Sequence, residues 1–327
     1  MGLVARKLLV AILVTIFCFF ILIRTVDVAD VWSAIQHAEV FWVGILFVGV
    51  VCVTVLRGLR ASLLVSQRFD DGVFLISIIH NAATALLPMK LGEIVFPVLI
   101  ARCGRMNRIE AVGALLVLRA FDLFAILFTT AAAVAMIWIE KDAFIGVFAT
   151  AAFLGLLVLL GGALLFWPRL ITLAQMTSTQ PTLKIIISLL RPLAQLRRSQ
   201  VAQQMILSIV IWGVLIGTFL AGCRGLNLDV TYREMVVISA AASLAFAAPI
   251  AGVANVGPFQ AAWLWASGFF GLEVSPALAA AFLVHGSFVL AISVIGVLAY
   301  FTLSLTSNSR TSSSGHKDHK VDPVQIA

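Results

Sequence analysis

Long apolar runs alternate with short polar connections over most of the chain. Runs near residues 7–24, 39–58, 109–138, 143–167, 203–222 and 276–304 approach or exceed the roughly 20 residues that an α-helix needs to cross a bilayer core. Two further stretches, 73–101 and 234–270, are apolar but interrupted. The first holds His80-Asn81-Ala82-Ala83-Thr84-Ala85-Leu86-Leu87-Pro88-Met89-Lys90-Leu91-Gly92-Glu93. The second holds Ala248-Pro249-Ile250-Ala251-Gly252-Val253-Ala254-Asn255-Val256-Gly257-Pro258-Phe259-Gln260. Each is long enough for two half-helices that meet at a turn, built on Pro88 and Gly92 in one and on Pro249, Gly252, Gly257 and Pro258 in the other. Alternatively, each is one kinked span. A bilayer admits free backbone polar groups only where protein buries them or water reaches them. Paired broken segments in the two halves of a membrane protein therefore point to a central site.

Charge separates the hairpin from the kinked span. With two hairpins, Lys90 and Arg119 fall at membrane depth, Arg24, Lys141, Arg224 and Arg233 fall on one side, and the remaining 16 of the 22 Lys and Arg fall on the other. A single span at 73–101 sets Arg102, Arg105 and Arg108 opposite Arg57, Arg60 and Arg68, against the cytoplasmic excess of basic residues. Re-entrant hairpins with both termini cytoplasmic are expected. One hairpin then enters from each side, and the two span–hairpin–span units form an inverted repeat whose tips meet near the midplane. The expected fold class is all-α: a polytopic helical membrane protein of about six full spans plus two re-entrant broken-helix hairpins arranged as an inverted repeat. One domain covers 1–306, and the Ser-rich residues 307–327 are expected to be a disordered cytoplasmic tail.

Two shorter elements flank the spans. Lys184, Ser188, Arg191, Gln195 and Arg198 recur at helical spacing opposite Ile185, Ile186, Leu189, Leu190, Leu193 and Leu196. Segment 183–198 is thus an amphipathic helix on the cytoplasmic leaflet or a plain connecting helix, with Pro192 placed to split it. Residues 27–38 form a shorter interfacial segment outside, anchored by Trp32.

Composition closes off other classes. The chain is 62% hydrophobic and 11% charged, with a mean hydropathy of +1.10, which excludes an ordinary soluble domain. The net charge of +7 sits at the ends of apolar runs, so it orients the protein in a membrane and does not mark a nucleic-acid binder. Cys18, Cys52, Cys103 and Cys223 are widely spaced and form neither a disulfide framework nor a zinc signature. No metal or cofactor is expected. HExxH, GxSxG and Walker motifs are lacking, so neither an enzyme nor direct ATP use is expected.

The candidate chemistry lies in the broken segments and the span between them. Glu93 is a carboxylate at membrane depth, a functional candidate by default. At the start of the second half-helix it is placed to bind a cationic group, to pair with Lys90 or Arg119, or to titrate. Lys90 suits a phosphate near half-helix N-termini, or else snorkels to the cytoplasmic surface. Arg119 and Asp122 are three apart on one helix face and can neutralise each other. Asn81, Asn255 and Gln260 are hydrogen-bonding candidates for a polar cavity, with Thr84 beside them. His285 joins Glu93 as a possible proton relay. Arg57 and Arg60 fit the cytoplasmic headgroup layer and require no special role.

With Asn81, Leu87-Pro88-x-x-x-Gly92-Glu93, Arg119-x-x-Asp122 and Pro249…Gly252…Gly257 in this order, the chain resembles the flippase-like family typified by the transmembrane region of lysylphosphatidylglycerol synthases. The similarity extends to about residue 304, as in a stand-alone member with no synthase domain. It implies movement of a polar-headgroup lipid between leaflets, membrane lipids as partners, and a bacterial inner (plasma) membrane location. The chain departs from the family pattern at three places. Lys90 stands where an arginine is usual, Phe96-Pro97 where another often follows, and Gln260 where the second motif ends in glutamate. A lipid transporter for a phosphate-bearing headgroup is the leading expectation. A non-transporting lipid-binding subunit of a lipid- or glycan-modifying enzyme system is the alternative, and a headgroup transferase using Glu93 as base comes third.

Overall fold

The computed structural model describes residues 12–13, 15–16, 20, 27–141, 143–177, 181–247 and 253–314. Among them are α1 (Val28–Gln36), α2 (Val40–Ser66), α3 (Asp71–Leu86), α4 (Val95–Arg102), α5 (Arg108–Lys141), α6 (Ala143–Thr177), α7 (Pro181–Ala194), α8 (Arg198–Gly225), α9 (Tyr232–Ala247), α10 (Pro258–Gly268) and α11 (Val274–Ser314), and no strand. Five of these helices, α2, α5, α6, α8 and α11, are long and apolar enough to cross a membrane. The protein is an all-α polytopic membrane protein. The span expected at 7–24 lies largely outside the described residues, as do Pro249, Gly252 and residues 315–327.

Local chemistry sets the breaks. Leu87 precedes Pro88 and takes an extended conformation (φ −80°, ψ 132°), because the proline ring disfavours a helical residue before it. Helix α3 therefore stops at Leu86, and a 3₁₀ segment, Pro88–Ile94, leads into α4. Gly92 lies so close to the backbone of Ala83 and Thr84 that a Cβ would collide with it. In the second broken segment, Gly257 takes φ 106°, a conformation that favours glycine. Pro258 then opens α10 at its first position, where a missing N–H costs nothing. The Gln260 Oε1 accepts from the Gly257 N–H at 2.8 Å and caps that helix.

The helices pack in a crossed pattern. Helix α2 lies against α8, α3 against α11, α9 against α5, and the two helices of each broken segment against each other. At the α3–α11 contact Gly296 faces Ala82 with no room for a Cβ, the small-residue approach by which apolar helices pack in lipid. Helix α7 runs through Pro192 to Ala194 without splitting. It packs on α5, with Arg191 on Glu110 at 2.5 Å. Helix α1, expected from sequence at the interface, keeps Trp32 60% exposed. Helix α11 continues over 307–314, part of the segment expected to be a disordered tail.

Candidate functional site

Polar residues of the first broken segment and mainly apolar ones of the second line one cavity of about 530 Å³. Asn81, Thr84, Lys90 and Glu93 come from the first segment, Arg119 and Asp122 from α5, Phe246 and Phe259 from the second segment, and His285 from α11. Trp212, Leu215 and Phe219 of α8 supply an apolar wall. Leu116, Arg119 and Leu123 line the cavity and are exposed on one stripe of α5, with Leu244 of α9 likewise exposed. The cavity thus opens onto the protein surface beside these apolar side chains.

Its charges are arranged in pairs. Asp122 accepts two bonds from Arg60, from Nη1 at 2.7 Å and Nη2 at 3.0 Å. The Arg60 Nη1 also donates to the Ser208 hydroxyl at 2.6 Å. Arg119 donates to Glu93 Oε1 at 2.6 Å and stands 3.8 Å from Asp122. His80 contributes a second contact to Glu93: its Nδ1 faces the Gly92 carbonyl at 3.2 Å and its Nε2 lies 3.6 Å from Glu93 Oε2. Since a carbonyl only accepts, Nδ1 carries the proton of that bond.

Two links join the broken segments. The Lys90 ammonium donates to the Phe246 carbonyl at the end of α9 and lies 4.6 Å over the Phe246 ring. That carbonyl is one of the orphan acceptors of a helix C-terminus, where a cation is favourable. Asn255 Nδ2 approaches the carbonyls of Thr84 and Ala85 at 3.4 Å each. On the far side of α10, Gln260 Nε2 meets His285 Nδ1 at 3.0 Å. Because Gln260 Oε1 must face the Gly257 N–H, its amide nitrogen donates and His285 Nδ1 accepts.

Residues 8–296 match the family described as the lysylphosphatidylglycerol synthase TM region. The chain belongs to this family. No curated protein matches it.

In this family member, the structure places the residues singled out from sequence in and around the cavity. Glu93, Lys90, Arg119, Asp122, Asn81 and His285 line the cavity. Asn255 and Gln260 are buried beside it and bind protein groups instead. Glu93 stands at the start of the second half-helix, in the 3₁₀ segment before α4. Other expectations need correction. Lys90 does not snorkel to the cytoplasmic surface but bonds the opposite segment. Arg119 and Asp122 are not each other's main partners, because Arg60 takes the carboxylate of Asp122 and Glu93 takes Arg119. Arg57 and Arg60, expected to need no special role, are built into the site: Arg57 lines the cavity and Arg60 is 3% exposed. The signal for both was the apolar run from Ala61 to Val65, which carries α2 well past them. His80 and Trp212 were also missed. A histidine one residue before Asn81 in an apolar run was the available clue to the first, and nothing in the sequence marks the second.

Proposed function

We propose that the protein is a lipid transporter that moves a polar-headgroup, phosphate-bearing lipid between leaflets. The observation that carries this reading is the cavity itself. It combines a charged floor, apolar walls and a lateral opening beside Leu116, Leu123 and Leu244. That is the shape a headgroup requires when its acyl chains stay in the bilayer. The crossed packing supports an inverted repeat of α2-to-α5 and α8-to-α11. The first helix of each broken segment leans on the span that follows the other segment, and α2 pairs with α8. In this arrangement the two broken segments are re-entrant hairpins, and alternate tilting of the halves exposes the cavity to each leaflet in turn. Arginines hold both cavity carboxylates, an arrangement of fixed charge that suits binding better than general-base catalysis. Both termini face the cytoplasm by the distribution of Lys and Arg.

The test is leaflet exchange of acyl-labelled phospholipids in liposomes that contain the purified protein, wild type beside Glu93→Gln. Exchange above that of protein-free vesicles, and lost in the variant, supports transport at this site. Wild-type exchange no faster than in protein-free vesicles, across anionic and zwitterionic lipids, sinks it. One observation favours a second reading, a lipid-binding subunit without exchange: Lys90 and Asn255 tie the two hairpin tips together, and a tie that never opens would permit binding alone.

A further inference from the structure

The charges around the cavity do not cancel. Arg57, Lys90 and Arg119 line it with Glu93 and Asp122, and Arg60 stands behind Asp122. Both carboxylates are already engaged by arginines. Arg57 has no ion-pair partner among the described residues, and Lys90 bonds a neutral carbonyl. Four cations against two carboxylates leave a surplus of two positive charges beside apolar walls, where electrostatic interactions are stronger than in water.

An independent observation points to the same corner. A recess of about 20 Å³ is lined by Arg57, Arg60, His80, Asn81, Arg119 and Asp122, among others, enough for roughly one water-sized group. Besides His80 Nε2, which faces Glu93 at 3.6 Å, three buried donors lack a hydrogen-bond partner: Arg57 Nε, Arg60 Nε and Asn81 Nδ2. All three are donors only, and a buried donor without an acceptor is unfavourable. An oxygen of a phosphate group supplies the missing lone pairs. An ammonium group supplies none and adds a like charge.

We propose that the cavity selects lipids whose headgroup is net negative, a phosphate with no compensating amine, and seats that phosphate against Arg57, Arg60 and Asn81. Such selectivity presupposes the lipid reading above but not leaflet exchange, so binding reads it directly. The probes are acyl-fluorescent phosphatidic acid and phosphatidylglycerol, compared with phosphatidylethanolamine and an aminoacylated phosphatidylglycerol of the same chains, titrated into the full-length protein in nanodiscs. The amine-free lipids are expected to bind at least tenfold more tightly. Arg57→Gln reduces that preference at least fivefold, and Arg57→Lys restores most of it. Melting curves check that the variants fold. If Arg57→Gln fails to fold, Asn81→Asp, which sets a repelling carboxylate at the seat, is expected to lower the preference instead. Equal or tighter binding of the amine-bearing lipids overturns the proposal, as does a preference that neither folded variant changes. Inorganic phosphate and glycerol 3-phosphate serve as competitors. Their failure to displace the lipid at millimolar concentration supports a lipid ligand, and displacement at concentrations matching the lipid's own overturns it in favour of a soluble phosphate ester. A headgroup preference without leaflet exchange supports this proposal and defeats the transport reading alone. No binding of any lipid defeats both.

Discussion

Asp122→Asn probes how the polar floor is held together. The Asp122 carboxylate takes two hydrogen bonds from Arg60, at 2.7 and 3.0 Å, with the two side chains 13% and 3% exposed. Deleting one partner of a buried ion pair costs about 3–5 kcal/mol, because the other charge is left uncompensated. Asparagine keeps the shape and one acceptor oxygen, which places the expected loss near the lower end, about 3 kcal/mol. The variant also leaves Arg57, Arg60 and Arg119 around a floor whose one remaining lining carboxylate is Glu93. At about 2–4 °C per kcal/mol for chains of moderately smaller size, the melting temperature falls by roughly 6–12 °C.

The reverse replacement separates the pair from its parts. Two apolar residues of similar volume in place of a buried pair are often neutral or stabilising. Arg60→Met with Asp122→Leu is therefore expected to melt above either single variant. The coupling between the two sites should be about 0.5–3 kcal/mol. The assay is thermal unfolding of the purified protein in one detergent, followed by tryptophan fluorescence. A double variant whose loss equals the sum of the single losses would refute the reasoning, since the arginine and carboxylate would then be acting independently.

Three further substitutions extend the same logic. Gly92→Ala forces a methyl into the backbone of Ala83 and Thr84, which cannot yield as a side chain does. A loss of about 1–3 kcal/mol is expected, and an unchanged melting temperature contradicts that contact. Gln260→Leu removes the cap on the Gly257 N–H and strands His285. It should cost about 1–3 kcal/mol, and Gln260→Glu, which still caps, should cost less in the same melt. Arg191→Ala breaks the pair with Glu110, whose arginine is 50% exposed. The loss should stay below about 1 kcal/mol, and a larger drop would mean that α7 supports the site more than its surface position implies.

Apolar periodicity and Pro/Gly punctuation carry the all-α membrane architecture in the sequence itself. Apolar length marked the spans, and the Leu87-Pro88 and Gly257-Pro258 pairs marked the places where backbone geometry forbids a continuous helix. The same breaks located the cavity, because side chains at a helix break are where membrane-depth polarity is tolerated. Pairing was harder to read. Arg119 and Asp122 are three apart, so sequence spacing joined them, yet the long-range partners Arg60 and Glu93 lie 62 and 26 residues away. Only the fold brings these together, and a closer, better aligned partner outcompetes a neighbour at i+3.

Arg57 and Arg60 show how the preference of basic residues for membrane ends can hide a site. The span expected over 39–58 leaves both at the cytoplasmic headgroup layer, where basic residues are usual. The five residues after Arg60, Ala61-Ser62-Leu63-Leu64-Val65, are too apolar for an interfacial connection, and α2 runs on to Ser66. An arginine with apolar chain on both sides within one helix must be solvated by protein, since lipid offers nothing. Arg60 obeys by taking Asp122 and Ser208. Arg57, one turn away on the same helix and facing the cavity, has no such partner among the described residues. The same constraint that explains Arg60 therefore requires an acceptor for Arg57, and the cavity is where one can enter.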